Sequence, residues 1–369
     1  MKMYQKITIT IAVIILCYVL WRYLRRRREV NSLYNKIQLE AVKHKQTCKN
    51  ADCANNHVDN IEGFGSPESE FEGLKSDETN NIMSIGKEHT SRPLKEYVIK
   101  SSYNSAITGR YVNTEMVKEL LKQGCRLLDF EVLYIDEKPF VTYTTDAKLE
   151  TINTDNKVLL DNILAAAVSQ AFTQPSPNYE DPLFIHLRLK SNDPAIYKAV
   201  AKSIDSILRA KLYPTKININ TKLSEIMGKV VIITDKTINR NYKSDSKCTS
   251  TEKDCYEFSK YINIESGSDS LNKNTYTDIL NQSYDIVSII DKCDICTDVN
   301  KYRLVVPETV NNSNNPDVYE LIGKHGCQLV TNRFYIIDDN LKKYGKLFND
   351  NKGGILPLAH VLDYIKKEV

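Results

Sequence analysis

The chain has 369 residues, 41% hydrophobic and 26% charged, with a formal net charge of +3. That length allows one large core with appendages, and so small a charge gives no footing for nucleic-acid binding. Nine cysteines, an odd number without dense spacing, exclude a disulfide framework as the organising principle and read as thiols of a reducing compartment.

In chain order, the first feature is apolar. Ile7 to Trp21 is interrupted only by Thr8, Thr10 and Cys17, and with Lys6 and Arg22 snorkelling the stretch 3–24 can cross a bilayer. Arg25, Arg26, Arg27 and Arg28 follow at once. A cleaved signal peptide carries its charge ahead of the apolar run and a small-residue cleavage site behind it, the reverse of what stands here. The reading is a single-pass membrane anchor, with the positive-inside rule placing the rest of the chain on the cytoplasmic side. Residues 25–92 then make a basic juxtamembrane segment, a helical stalk over 31–49 and a polar flexible tether.

From Pro93 onward, short apolar runs alternate with amphipathic stretches. Strands are predicted over 97–101, 127–133, 183–189, 230–234, 286–290, 302–306 and 328–332. Helices are predicted over 114–123, 158–171, 194–210, 318–324 and 358–366. This alternation predicts βαβ units and a parallel sheet; a closed barrel and a doubly wound sheet both satisfy it. In the third strand, alternation puts His186, Arg188 and Lys190 on one face, opposite Ile185, Leu187 and Leu189. Cys293 and Cys296 form a CxxC with no second pair at zinc-knuckle spacing, and read as a loop or a reducible pair.

A resemblance decides between the two architectures. The run Pro93-Leu94-Lys95-Glu96-Tyr97-Val98-Ile99-Lys100-Ser101-Ser102-Tyr103-Asn104-Ser105 resembles the opening catalytic strand of phosphoinositide-specific phospholipases C, PL-x-x-Y-x-I-x-S-S-H-N-T. Pro139-Phe140-Val141-Thr142-Tyr143 resembles the stretch that leads to that family's second catalytic histidine. Residues 326–334 resemble its G-C-Q-L-V-A-L-N-F, and 348–356 its F-x-x-N-G-G-x-G-Y-V-L. Residues 302–314 resemble its R-I-Y-P…S-S-N-Y. The resemblance spans roughly 93–356. It implies an α/β fold, a (β/α)8 TIM-type barrel over 93–369, with a first half at 93–238, a polar insert at 239–277 and a second half at 278–369.

The resemblance also implies site residues. The family's two histidines act as acid and base in the attack of an inositol hydroxyl on its own phosphodiester; Tyr103 and Tyr143 stand in their places. A phenol titrates near 10 and brings no positive charge, and each lost acid–base group forfeits roughly 10²–10⁴-fold in rate. The implied calcium ligands are Asn104, Asp129 and Glu131, but Lys190 takes the place of a further glutamate. An ammonium there repels calcium; the expectation is that Lys190 pairs with Asp129 and Glu131 in the ion's stead, and that no cofactor is bound. Two phosphate-binding lysines become Ile233 and Asp235, leaving Lys236 as a substitute and Arg303 to face a phosphate together with Arg188. His186 remains as a candidate acid–base, although a buried and satisfied imidazole is the plainer reading.

The outcome is a membrane-anchored barrel expected to bind a lipid headgroup or phosphate, or to act as a membrane scaffold, without turnover. One alternative is a metal-independent phosphodiesterase acting on phosphoinositide-type lipids. Another is a structural component of a membrane or virion. Expected partners are membrane lipid, a phosphoinositide headgroup and a protein at the membrane, with no nucleic acid.

Overall fold

The computed structural model describes residues 66–75, 80–249, 255–282, 299–308 and 314–368. The expected membrane span, the stalk, the strand at 286–290 and the Cys293/Cys296 pair lie outside them. Among the described residues no helix is long and apolar enough to cross a membrane.

The strands in chain order are β1 (Tyr97–Ile99), β2 (Ser101–Ser102), β3 (Leu127–Ile135), β4 (Lys138–Val141), β5 (Val158–Leu159) and β6 (Leu183–Lys190). They continue with β7 (Val230–Asp235), β8 (Ile264–Ser266), β9 (Asn272–Thr275), β10 (Arg303–Val306), β11 (Leu329–Asn332) and β12 (Ile355–Pro357). Eight of them, in the order β8-β7-β6-β3-β2-β11-β10-β9, make a nearly closed barrel in which every neighbouring pair runs parallel. The outward positions of β3, β6 and β7 are almost all apolar, whereas inward the apolar Leu127, Phe184 and Val231 give way to Asp129, Glu131, His186, Arg188 and Asp235.

Alternation sorts the side chains of these strands into two cores. Outward-facing Leu128, Phe130, Ile185, Leu187 and Ile232 pack with Leu120, Ile163 and Val200 from the surrounding helices. Inward-facing Ile99, Leu127, Phe184, Val231, Leu304 and Leu329 fill the barrel's N-terminal end. There β1 pairs antiparallel with β12, Ile99 opposite Ile355, and closes the floor. Each fully buried aromatic or aliphatic side chain of this kind is worth about 1.5–3 kcal/mol.

The helices follow their sequence signals. Thr114–Lys122 starts at Asn113, whose side chain accepts from the Glu115 amide at 2.8 Å. It buries the predicted Met116, Val117, Leu120 and Leu121. Val318–His325 ends on Gly326 at φ 62°, a left-handed cap that glycine adopts without steric cost. Leu160–Ala171, Ala195–Leu208 and Leu358–Glu368 fall close to their predicted ranges.

Four features differ from expectation. The polar insert contains two barrel strands, β8 and β9. The second reads Asn272-Lys273-Asn274-Thr275, polar because its inward residues face the open end. Regular alternation also expects a helix between these strands, yet only the turn 267–271 joins them, with the Gly267 amide donating to the Leu271 carbonyl at 2.9 Å. The described parts of the expected tether, 66–75 and 80–92, are packed on the barrel. A short helix, Pro67–Glu72, buries Phe71; Ile82 is buried; and the Ile85 amide donates to Asp181 at 2.9 Å. Two buried apolar side chains and one backbone hydrogen bond thus tie the described parts of this polar stretch to the barrel. Finally, Cys248 and Cys255 form a disulfide with their Cα atoms 5.8 Å apart, which a reducing compartment would not preserve.

Candidate ligand site at the barrel mouth

Parallel strands of a barrel converge their C-terminal ends on one opening. Here that opening holds a cavity of about 600 Å³, with Tyr103, Asn104, Glu131, Tyr143, Arg188 and Lys190 in its lining. Sequence reasoning had singled out all six. The register explains the convergence: Asp129 pairs with His186 and Glu131 with Arg188, so each inward carboxylate stands beside a nitrogen-bearing side chain.

Arg188 organises the floor of this cavity. Its Nε donates to Asp129 Oδ2 at 3.0 Å, its Nη2 to Asp129 Oδ1 at 2.9 Å and to Asn104 Oδ1, and its Nη1 to Glu131 Oε2 at 2.5 Å. The Tyr103 ring covers the guanidinium at 4.5 Å. Burial alone would lower the pKa of Arg188, but Asp129, with Tyr103 and Glu131, drives it well above its ordinary value. Burial would likewise raise Asp129; the charge of Arg188 and the hydrogen bond from His186 outweigh it and hold the carboxyl below the usual range. Asn104, at φ 47°, turns the chain off β2 so that its amide also donates to Asp129, at 3.0 Å.

This arrangement corrects one expectation and tests the implied metal. Arg188, rather than Lys190, stands in the acidic cage. Lys190 reaches only Glu131, at 2.8 Å, and donates to the Thr144 carbonyl at 3.0 Å. Calcium needs six to eight oxygens at about 2.3–2.6 Å. The three side chains implied as its ligands already bind one guanidinium, and no cluster of three His, Cys, Asp or Glu among the described residues could hold a metal. The residues present do not fit a calcium ion.

The two tyrosines differ. Tyr103 is pushed up to about 12, first by burial, against the lowering effect of Arg188. Tyr143 is half-buried and also raised, by burial and then by Glu131 and Glu70. Neither hydroxyl has a hydrogen-bond partner within the described protein.

The remaining candidates lie elsewhere. His186 is fully buried beneath Arg188, with Nδ1 2.7 Å from Asp129 Oδ2 and Nε2 2.9 Å from Ser266 Oγ. It has the connectivity of a nucleophilic relay, but Ser266 is itself fully buried and neither residue reaches the cavity. Arg303 does not face the mouth. Leu304 and Val306 take the inward positions of β10, so Arg303 points outward at the start of the strand and donates to the His325 carbonyl at 2.6 Å. Lys236 lies outside the lining, 3.4 Å from Glu265.

Sequence reasoning missed Lys273, Thr275 and the loop around Asp146. Lys273 lines the cavity and pairs with Asp235 at 2.5 Å. Burial would raise Asp235, and the Lys273 charge holds it down. The signal was the inward series Leu271, Lys273, Thr275, hidden by reading that stretch as insert. Asp146 accepts from the amides of Lys148, Glu150 and Thr151 and so fixes the wall that carries Ala147 and Leu149.

Comparison with known proteins bears on this geometry. Residues 90–236 match the family described as phosphatidylinositol-specific phospholipase C, X domain. The match takes in the first half of the barrel, less than half of the chain, and agrees with the resemblance to phosphoinositide-specific phospholipases C seen in the motifs. The crystal structure of PLC21 from L. pealei matches with a TM-score of 0.55 and 17% identity, over 75% of this chain and 38% of that one. That of PLC21 from S. officinalis gives 0.53 and 18%, over 77% and 39%. The chain thus spans well under half the length of these phospholipase C structures, and at such identities the likeness speaks for the fold. A search of curated protein sequences gives no match.

Proposed function

We propose that this barrel binds a phosphorylated lipid headgroup without cleaving it, held at the membrane by the apolar segment 3–24. One observation carries the reading: Tyr103, at the motif position where the family has an acid–base histidine, covers Arg188 and keeps a phenol raised to about 12. Such a group stays neutral near pH 7; it can donate or accept a hydrogen bond but brings no positive charge. Tyr143 repeats the substitution at the second position. The guanidinium of Arg188 supplies fixed positive charge where the family would hold its cation.

The rival reading, a metal-independent phosphodiesterase, needs an acid–base group that touches substrate. His186, its best candidate, has both ring nitrogens engaged and no exposed atom. The test is incubation of the full-length protein with phosphatidylinositol, with calcium or with a chelator, followed by phosphorus NMR. No cyclic inositol phosphate above the protein-free blank is expected in either condition. Turnover that disappears in Tyr103→Phe or Lys190→Ala would replace the proposal with the rival.

A further inference from the structure

The cysteines among the described residues divide into two kinds. Cys125 and Cys327 are free thiols with no exposed surface, and burial pushes both up to about 12. A thiol so enclosed and so rarely ionised is inert to oxidation. Cys248 and Cys255 are only half-buried, and these two are joined. Flanking packing brings them together: Tyr242 and Phe258 meet edge to face with ring centroids 5.8 Å apart, and Tyr197 packs on both. Every described thiol that solvent reaches is therefore paired, and every free one is sealed in the core. That pattern suits a chain that folds among oxidants, because a reducing compartment leaves accessible thiols free.

A second feature points the same way. The sequence holds two Asn-x-Ser/Thr triplets, Asn281-Gln282-Ser283 and Asn311-Asn312-Ser313. Such a triplet accepts an N-linked glycan where the chain is surface-exposed and reaches the secretory side of a membrane. Asn281 is the C-cap of the helix Tyr276–Leu280 and lies exposed between exposed Leu280 and Gln282. Its side-chain amide has no partner among the described residues, so a sugar there displaces no hydrogen bond. By contrast, the buried Asn104, Asn178, Asn263, Asn315 and Asn332 all hold structural hydrogen bonds, and none of them begins such a triplet.

We infer that the barrel stands on the oxidising, exoplasmic side of its membrane and carries an N-linked glycan on Asn281. Neither feature depends on what the mouth binds. The placement opposes the orientation expected from Arg25, Arg26, Arg27 and Arg28. The positive-inside rule is a bias on insertion, and large domains translocate largely regardless of charge. A bridge between accessible thiols, in contrast, persists only where the compartment maintains it.

The test uses the full-length chain expressed in cultured animal cells, with segment 3–24 as its only membrane signal. Cells are lysed into an alkylating agent without reductant, and the protein is digested with trypsin. Cleavage after Lys247, Lys253 and Lys260 yields peptides 248–253 and 254–260. These are expected as one linked species that separates on reduction. On gels, peptide N-glycosidase should increase the mobility of the wild type. Asn281→Gln and Ser283→Ala should each lose one mobility step, while Ser283→Thr should keep it. Asn311→Gln should also keep the step that belongs to residue 281. The thermal midpoint of Asn281→Gln should match that of the deglycosylated wild type, because the side chain supports no described contact. Peptides 248–253 and 254–260 alkylated separately would overturn the exoplasmic placement. A mobility unchanged by the glycosidase, or changed only through Asn311, would overturn the glycan on Asn281.

Discussion

The floor and the mouth of the barrel are built from the same strands, yet they obey different rules. At the floor, Ile99, Leu127, Phe184, Val231 and Leu329 meet in a dry core that any well-packed apolar set could fill. Four residues further along the same strands, Tyr103, Glu131, Arg188 and Asp235 take the corresponding inward positions. Their order depends on each partner being present, because a buried charge without its counter-charge is costly. The floor holds the ring together by area. The mouth is a network in which Arg188 satisfies Asn104, Asp129 and Glu131 at once.

The sharpest way to break this contrast is Arg188→Ala. It strands two carboxylates and should cost about 3–5 kcal/mol in urea unfolding. Calcium should raise the thermal midpoint of that variant and leave the wild-type unchanged, because the substitution frees the acidic cage. An equal calcium response in both proteins would mean that Arg188 does not fill the cage. Phe184→Ala at the floor should cost a similar 3–5 kcal/mol, from lost burial and a cavity. Its loss should be insensitive to calcium, which separates packing from network.

A smaller effect is expected beneath the barrel, at Asp181. Burial, only partly offset by Arg126, raises its pKa to about 6. A carboxyl raised in the folded state contributes stability below its unfolded value of about 4 and loses it as pH climbs through its folded value. Asp181→Asn keeps an acceptor for the Ile85 amide and removes the charge. The variant should therefore gain about 1–3 kcal/mol near neutral pH, with no gain below about pH 4. Urea unfolding across that range checks both parts. The smallest effect belongs to Tyr143→Phe: a hydroxyl without a protein partner should leave stability within about 0.5 kcal/mol while phosphate binding weakens. A larger loss of stability would point to a structural role for the hydroxyl.

Much of the barrel was legible because its signals are local. The apolar residues at alternate positions of β3, β6 and β7 mark strands with a covered outward face, and Asn113 and Gly326 mark helix ends by short-range hydrogen bonding and backbone geometry. The alternation that put His186, Arg188 and Lys190 on one face was also sound as far as direction goes, since all three point inward. Depth along the barrel was not legible. His186 lies one layer down, Arg188 at the cavity floor and Lys190 at the rim. β9 escaped notice because a strand whose inward residues face solvent has no apolar signature. Arg303 was misplaced because one residue of register reverses the face.

The sequence by itself determined the parallel architecture, the paired tyrosines at two motif positions and the set of charged residues available to a site. These follow from periodicity and from residue identity, which need no knowledge of distant neighbours. Only the tertiary structure decided that Arg188 fills the acidic cage and that Lys273 joins the mouth. Those facts depend on which strands lie side by side and at what height, and a barrel fixes that only when its ring of strands comes together.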